Sequence, residues 1–324
     1  MKDIFGTDIH SKEISLSIYC DERKINGCQH PNNENWLYIA LLIVPDSKKS
    51  EVLATLNKHR GDTNYYYELK FRKLNKPSCI STIARLAELW LKEVIWDTNK
   101  RFYFKILGIK EDNLLFELFG GDASSKGKHE NIYNRFFRAN FLGALNSYFP
   151  QEEYAKITIS GLFHDRQGRL EAHEFFPWHL CYKVSDERVN FLSDQLCFID
   201  SDHRAEPKHK DCSQFIQLAD LLVGSISHCL DLPAQSSEGK DEVAKVILPL
   251  LKEILGGVYS KRSRFDYFRK YDVSFYPSKK LTLEEFYNDA DRAQSQFFKE
   301  RRILLEEKLS DQLPLPLSYC SGGK

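Results

Sequence analysis

No stretch of this sequence is apolar for long enough to cross a membrane: the longest such run, Trp36 to Val44, falls far short of the ~20 residues a membrane helix requires. The opening "MKDIFGTDIH" lacks a signal-type apolar segment, and the expectation is a cytoplasmic protein with no membrane partner. Net charge is missing too. Lys plus Arg and Asp plus Glu both count 46, so no whole-molecule field draws the chain onto nucleic acid or lipid, and any such affinity must come from local patches. The eight cysteines include no Cys-x-x-Cys pair, and several stand inside apolar stretches; they read as reduced interior residues. The ten histidines give no pair at zinc-ligand spacing, and the one cluster, His173, His179 and Cys181, lacks the short ligand repeats of a structural zinc site. No period of about 20 to 50 residues repeats, and no low-complexity block precedes the end of the chain.

What is present is patterned. At 324 residues the chain can bury a large core, either as two domains or, as expected here, as one domain with sizeable additions. Ile14, Leu16 and Ile18 alternate with Ser15, Ser17 and Tyr19, the period of a half-buried strand, which runs directly into Asp21 and Glu22. "NWLYIALLIV" at 35–44 is apolar on both faces and reads as a central strand that could form a hairpin with the first. Helices are expected at about 47–60 and 78–97, a third strand at 101–110 and a helix at 129–147. "AKITISGLFHDR" then alternates into a second acidic end at Asp165, and "QLCFIDSD" at 195–202 gives a fifth strand ending on Asp200 and Asp202. Strands followed by alternating strands and helices predict an α/β fold with a mixed five-stranded sheet and flanking helices.

The segment "SQFIQLADLLVGSI", 213–226, is apolar nearly all round apart from Gln217 and Asp220, as a buried helix is. Gln217, Asp220 and Gly224 share one stripe, so an amide, a carboxylate and a notch without a side chain point at whatever the helix packs on. A carboxylate there needs a cation or strong hydrogen bonds to replace its lost hydration; a basic partner across the core would serve equally well. Asp21, Asp165, Asp220 and Glu68, the last inside "YYYELKFRK", are the acids that could share a cleft. Carboxylates held together raise one another's pKa and remain ionised only around cations, and oxygen-only ligation suits Mg²⁺ or Mn²⁺. Spacing alone groups them weakly, because a chain of this length holds many acids.

"IYCDER", "YELKFRK", "FHDR", "FIDSDHR" and "IQLADLLVG", in that order over residues 14 to 228, resemble the bacterial and phage family called domain of unknown function 3800. Its signature runs from a strand ending Asp-Glu-Ser through Glu-x-Lys, a strand ending in Asp and an Asp-Ser strand end to a Gln-Leu-Ala-Asp helix. The resemblance implies a ribonuclease H-like fold over residues 1–230 with a mainly helical C-terminal extension at 231–324. It also implies a metal-dependent nuclease that cuts DNA or RNA with two Mg²⁺ or Mn²⁺ ions, in a bacterial or phage defence or mobile-element setting. Carried over, the metal-binding and catalytic acids are Asp21, Glu68, Asp165 and Asp220. Glu22, Lys70, His164, Asp200, Ser201 and Gln217 support them, and His164 is a candidate to pass a proton to the leaving group. Arg23 departs from the family's Ser. A non-cleaving module that binds nucleic acid or serves assembly is the alternative, since one fold hosts many activities.

Lys70, Arg72 and Lys73, with Tyr65, Tyr66 and Tyr67, form a basic and aromatic segment suited to a nucleic-acid backbone and bases, or simply a solvated loop. A second basic strip at 258–280 includes Arg262, Arg264, Arg269 and Lys270 among many aromatic residues. It reads either as a nucleic-acid contact or as core aromatics whose basic neighbours snorkel outward. The charged helical pattern at 282–309 suits capping of the domain, a protein partner or self-association.

Overall fold

The computed structural model describes residues 12–75, 80–120, 125–166, 186–193, 196–233, 236–255, 270–277, 279–285 and 303–311. The first alternating segment is strand β1 (Lys12–Ile25), and the doubly apolar one is β2 (Trp36–Pro45). They pair antiparallel as the expected hairpin, with Asp21 opposite Ala40. Strand β1 therefore continues past its carboxylates instead of ending on them. Helix α1 (Lys49–Thr63) and helix α2 (Ile80–Ile95) follow, separated by an extended stretch and a short 3₁₀ turn at Phe71–Asn75. Strand β3 (Tyr103–Lys110) pairs antiparallel with β2, and helix α3 (Ser125–Tyr148) carries the chain across to β4 (Tyr154–Asp165), parallel to β1.

Two short strands, β5 (Val189–Phe191) and β6 (Cys197–Ile199), share the outer edge of β4. The fifth expected strand is thus three residues long, and Asp200 to Asp202 lie in the turn beyond it. Helix α4 (Lys210–Asp231), helix α5 (Glu238–Leu255), strand β7 (Tyr271–Tyr276) and helix α6 (Leu304–Asp311) complete the order. The sheet has seven strands in the order β5-β4-β1-β2-β3-β7, with β6 also on β4. It is mixed, as expected, and larger by β5 and β7. Strand β7 comes from the segment read as a basic strip within a helical extension. It pairs parallel with β3, and Tyr271, Phe275 and Tyr276 are buried in the core. Residues beyond 231 thus add to the same sheet, and Leu305 of α6 is fully buried against the same core.

The sheet separates two apolar layers. Trp36, Tyr38, Ala40, Leu42 and Val44 face the side of α1, α2, α4 and α5, while Leu37, Ile39, Leu41 and Ile43 face α3. A strand apolar on both faces belongs between two helical layers. Helix α4 lies between the sheet and helices α2, α5 and α6, which is why eighteen of its residues are buried.

Candidate functional site

The β1–β4 ladder ends at the pair Cys20↔His164. One residue earlier on each strand, Tyr19 and Phe163 stack at 5.3 Å, and Tyr19 also stacks on Phe215 of α4 at 4.6 Å. Side chains alternate along a strand, so the residues two positions further, Asp21 and Asp165, share this face and meet α4. Asp220 of α4 joins them. The three aspartates line one cleft of about 320 Å³ with Arg23, Lys70, Phe71 and Arg72.

Helix α4 organises the rest. The Gln217 side-chain oxygen accepts the Leu69 N–H at 3.0 Å and an Arg60 N–H at 2.7 Å, while its amide nitrogen donates to the Ser201 carbonyl at 2.5 Å. Three residues on, Asp220 Oδ2 accepts the Phe71 N–H at 2.6 Å. One further turn on, the Phe71 ring fills the notch at Gly224, where an added Cβ would lie 2.4 Å from Phe71 Cγ. The polar stripe therefore clamps Leu69–Phe71 and fixes Lys70 between two anchored amides. Lys70 Nζ reaches Asp165 Oδ2 at 3.0 Å and Glu68 Oε1 at 3.4 Å.

Burial, followed by repulsion from Asp220, Asp165 and Glu22, holds the Asp21 carboxyl well above its ordinary pKa, with Lys70 pulling the other way. Burial also raises Asp220, opposed by the Phe71 N–H, Lys70 and Arg23 and assisted by Asp165. Burial works against the Lys70 charge, yet its carboxylate neighbours, Asp165 foremost, raise its pKa above the usual lysine value. Glu68 behaves differently from the aspartates. Burial opposes its ionisation, but Lys73 at 2.6 Å, Ser201 at 2.8 Å and nearby Lys70 bring its pKa below the ordinary value. Its carboxylate is satisfied by these partners and does not line the cleft.

The remaining expectations divide. Glu22 lines the cleft rim, but its carboxylate approaches His164 Nε2 at 3.4 Å on the α3 side of the sheet. His164 is fully buried there, donating Nδ1–H to the Asp165 carbonyl at 2.7 Å and accepting from Tyr133 Oη at 2.5 Å. Its ring packs against Tyr133, Phe137 and Phe198 and does not line the cleft, which places it away from a leaving group held there. Asp200 shapes its own turn by accepting the Asp202 N–H. Ser201 and Gln217 position the Glu68–Phe71 segment. Of the basic residues, Lys70 and Lys73 are paired with carboxylates, and exposed Arg72 faces the cleft. Tyr65 is buried, whereas Tyr66 and Tyr67 are exposed. Lys270 is 2 % exposed and pairs with Asp97, so it is an interior residue and not a nucleic-acid contact. Arg262, Arg264 and Arg269 lie outside the described residues.

Four cleft residues, Arg23, Lys24, Phe71 and Lys240, lie outside the expected site residues. Arg23 was visible as a departure from Asp-Glu-Ser; Lys240, in the polar "SSEGKDE" segment, carried no signal.

Comparison with family models, curated proteins and solved structures gives no match. In kind, the donors suit a hard divalent ion: three carboxylates, two of them held above their ordinary pKa, share a cleft in which added positive charge would relieve their repulsion. In spacing, among the described residues no group of three or more His, Cys, Asp or Glu side chains stands close enough to hold a metal ion as it is. Nor is any described helix long and apolar enough to cross a membrane.

Proposed function

We propose that the cleft is the active centre of a metal-dependent nuclease that hydrolyses phosphodiester bonds in DNA or RNA. One observation carries the reading: Asp21, Asp165 and Asp220, from the first strand, the fourth strand and a late core helix, line a single cleft. Those are three of the four elements from which the ribonuclease H-like resemblance draws its acids, the fourth acid, Glu68, being held by Lys70, Lys73 and Ser201 outside the cleft lining, and the mixed sheet with helices on both faces accords with the resemblance.

Asp21, Asp165 and Asp220 would hold Mg²⁺ or Mn²⁺. Bound there, the ions supply activation of a water nucleophile and charge neutralisation at the leaving oxygen. The chain's own residues do the rest. Lys70 neutralises Asp165, Gln217 and Asp220 hold its backbone in place, and Glu68 holds its ammonium from the far side. Exposed Tyr66 and Tyr67 supply faces on which unpaired bases can stack.

The alternative, a non-cleaving nucleic-acid-binding or assembly module, draws on the Lys70 ion pairs and the unclosed ligand shell. Calorimetric titration with Mn²⁺, alongside cleavage assays on single- and double-stranded DNA and RNA, separates the two. The nuclease reading expects Mn²⁺ binding that Asp220→Asn abolishes together with cleavage. Absence of Mn²⁺ binding at millimolar concentration, with and without nucleic acid, overturns it.

A further inference from the structure

Beside the three aspartates the cleft changes sign. Arg23 and Lys240 line it and also line an adjoining cavity of about 170 Å³, bounded in part by Cys28, Asn75 and Pro233. The two cations lie against one ring: the Arg23 guanidinium is 5.0 Å and the Lys240 ammonium 5.8 Å from the Phe71 centroid. They repel each other, and the Lys240 pKa is lowered by burial first and by Arg23 second.

Every carboxylate acting on this pair is bonded elsewhere. Asp220 accepts the Phe71 N–H, and Asp231 holds His30 and Tyr38. Asp241 holds His228, Ser236 and Lys308. Among the described residues Arg23 donates one hydrogen bond, to the Gly224 carbonyl at 3.0 Å, and Lys240 Nζ makes no ion pair. A guanidinium fork has several N–H donors and matches phosphate oxygens in pairs. Asp220, Asp231 and Asp241 attract these cations from a distance, but neither cation is in a direct ion pair among the described residues, and both open on the same two cavities with N–H donors to offer an anion.

We infer that Arg23 and Lys240 form a phosphate subsite, taking a phosphate group of the substrate next to the one presented to Asp21, Asp165 and Asp220. The inference rests on the phosphodiester reading of the same cleft for its biological meaning, but the subsite itself is defined by charge and geometry. A cleft with carboxylates at one end and unpaired cations at the other fits a chain of phosphates better than a single neutral ligand. The phosphate can be a terminal monoester or a backbone diester.

The test is phosphate binding by the full chain in chelator, so that no metal takes part. Inorganic phosphate should raise the melting temperature of the wild type. Arg23→Ser and Lys240→Gln should each weaken its binding about tenfold, as loss of a charge-assisted contact does, and Arg23→Lys should retain part of it. Arg23 also braces Phe71, so Lys240→Gln, on helix α5, keeps the test valid if Arg23→Ser does not fold. A 5′-phosphorylated oligonucleotide binding more tightly than its hydroxyl-ended counterpart assigns the subsite to a terminal phosphate. Equal binding of the two, weakened by both variants, assigns it to the backbone. Phosphate and oligonucleotide binding unchanged in Lys240→Gln and in the double variant overturns the subsite. A parallel Mn²⁺ titration distinguishes the two failures: phosphate binding without Mn²⁺ binding sinks the metal reading alone, and Mn²⁺ binding with unchanged phosphate affinity sinks the subsite alone.

Discussion

Two adjacent dipeptides, Asp21-Glu22 on β1 and His164-Asp165 on β4, divide their four titratable side chains between opposite faces of one sheet. Asp21 and Asp165 face α4 and an open cleft; Glu22 and His164 face α3, where Tyr133 joins them. On the closed face the Tyr133 hydroxyl meets the His164 imidazole at 2.5 Å with the Glu22 carboxylate alongside, and the group is part of the packing. On the open face like charges meet, Lys70 and Arg23 offset part of their repulsion, and the remainder is available to a ligand. Ionisable residues of similar type thus serve the core on one side and form a site on the other. The difference lies in what each face brings opposite them: aromatic α3, or α4 with an acid of its own.

The largest effect is expected from Lys70→Met, which removes the cation paired with Asp165 on the open face. With side chains only 14 % exposed on both partners of the Lys70–Asp165 pair, the stranded carboxylates should cost about 3 kcal/mol in chelator. Thermal unfolding should also show a larger Mn²⁺-dependent rise than in the wild type; equal rises would mean that the lysine and the ion do not share a role. Gly224→Ala comes next. Its Cβ would strike Phe71, and overpacking there should cost about 2 kcal/mol while displacing Lys70, so cleavage should fall even where the protein remains folded by circular dichroism.

The two faces should respond to pH with opposite signs. His164, buried on the closed face, has its pKa lowered from 6.5 to about 4. The unfolded chain takes up that proton first, so the stabilisation is complete above pH 6.5 and is lost as pH falls towards 4. By pH 5.5 the loss is about 1.4 kcal/mol, and denaturant titrations of His164→Asn should show a flatter acid limb. Asp21 on the open face has a raised pKa; here the folded chain takes up the proton first, so lowering the pH from neutrality towards 3.8 favours folding. Asp21→Asn should therefore stabilise the metal-free protein at pH 7, a gain that fades towards pH 4, and should abolish the Mn²⁺-dependent rise in melting temperature. A destabilised Asp21→Asn would mean that the carboxylate is structurally paired, as on the closed face.

Local pattern was sufficient for much of this. Period-two alternation located β1 and β4, apolar character on both faces located β2, helical periodicity located α2 and α3, and a segment apolar nearly all round located the buried α4, because burial of one or both faces of an element is written directly in the order of its residues. The stripe of Gln217, Asp220 and Gly224 was legible for the same reason. What the stripe grips was not: Leu69–Phe71 lies far off in sequence, and neither of the bonded N–H groups is a side chain. Alternation could separate Asp21 from Glu22 but could not say which face opens to solvent, since that depends on the register Cys20↔His164 and on which helix covers each side. Strand β7 was hidden for a related reason. Dense aromatics beside basic residues suit both a surface strip and a buried edge strand, and only pairing with β3, with Lys270 neutralised by Asp97, decides between them. Arg23 and Lys240 meet for no reason visible along the chain; the fold packs both against the Phe71 ring, and the cleft acquires its positive end through long-range packing alone.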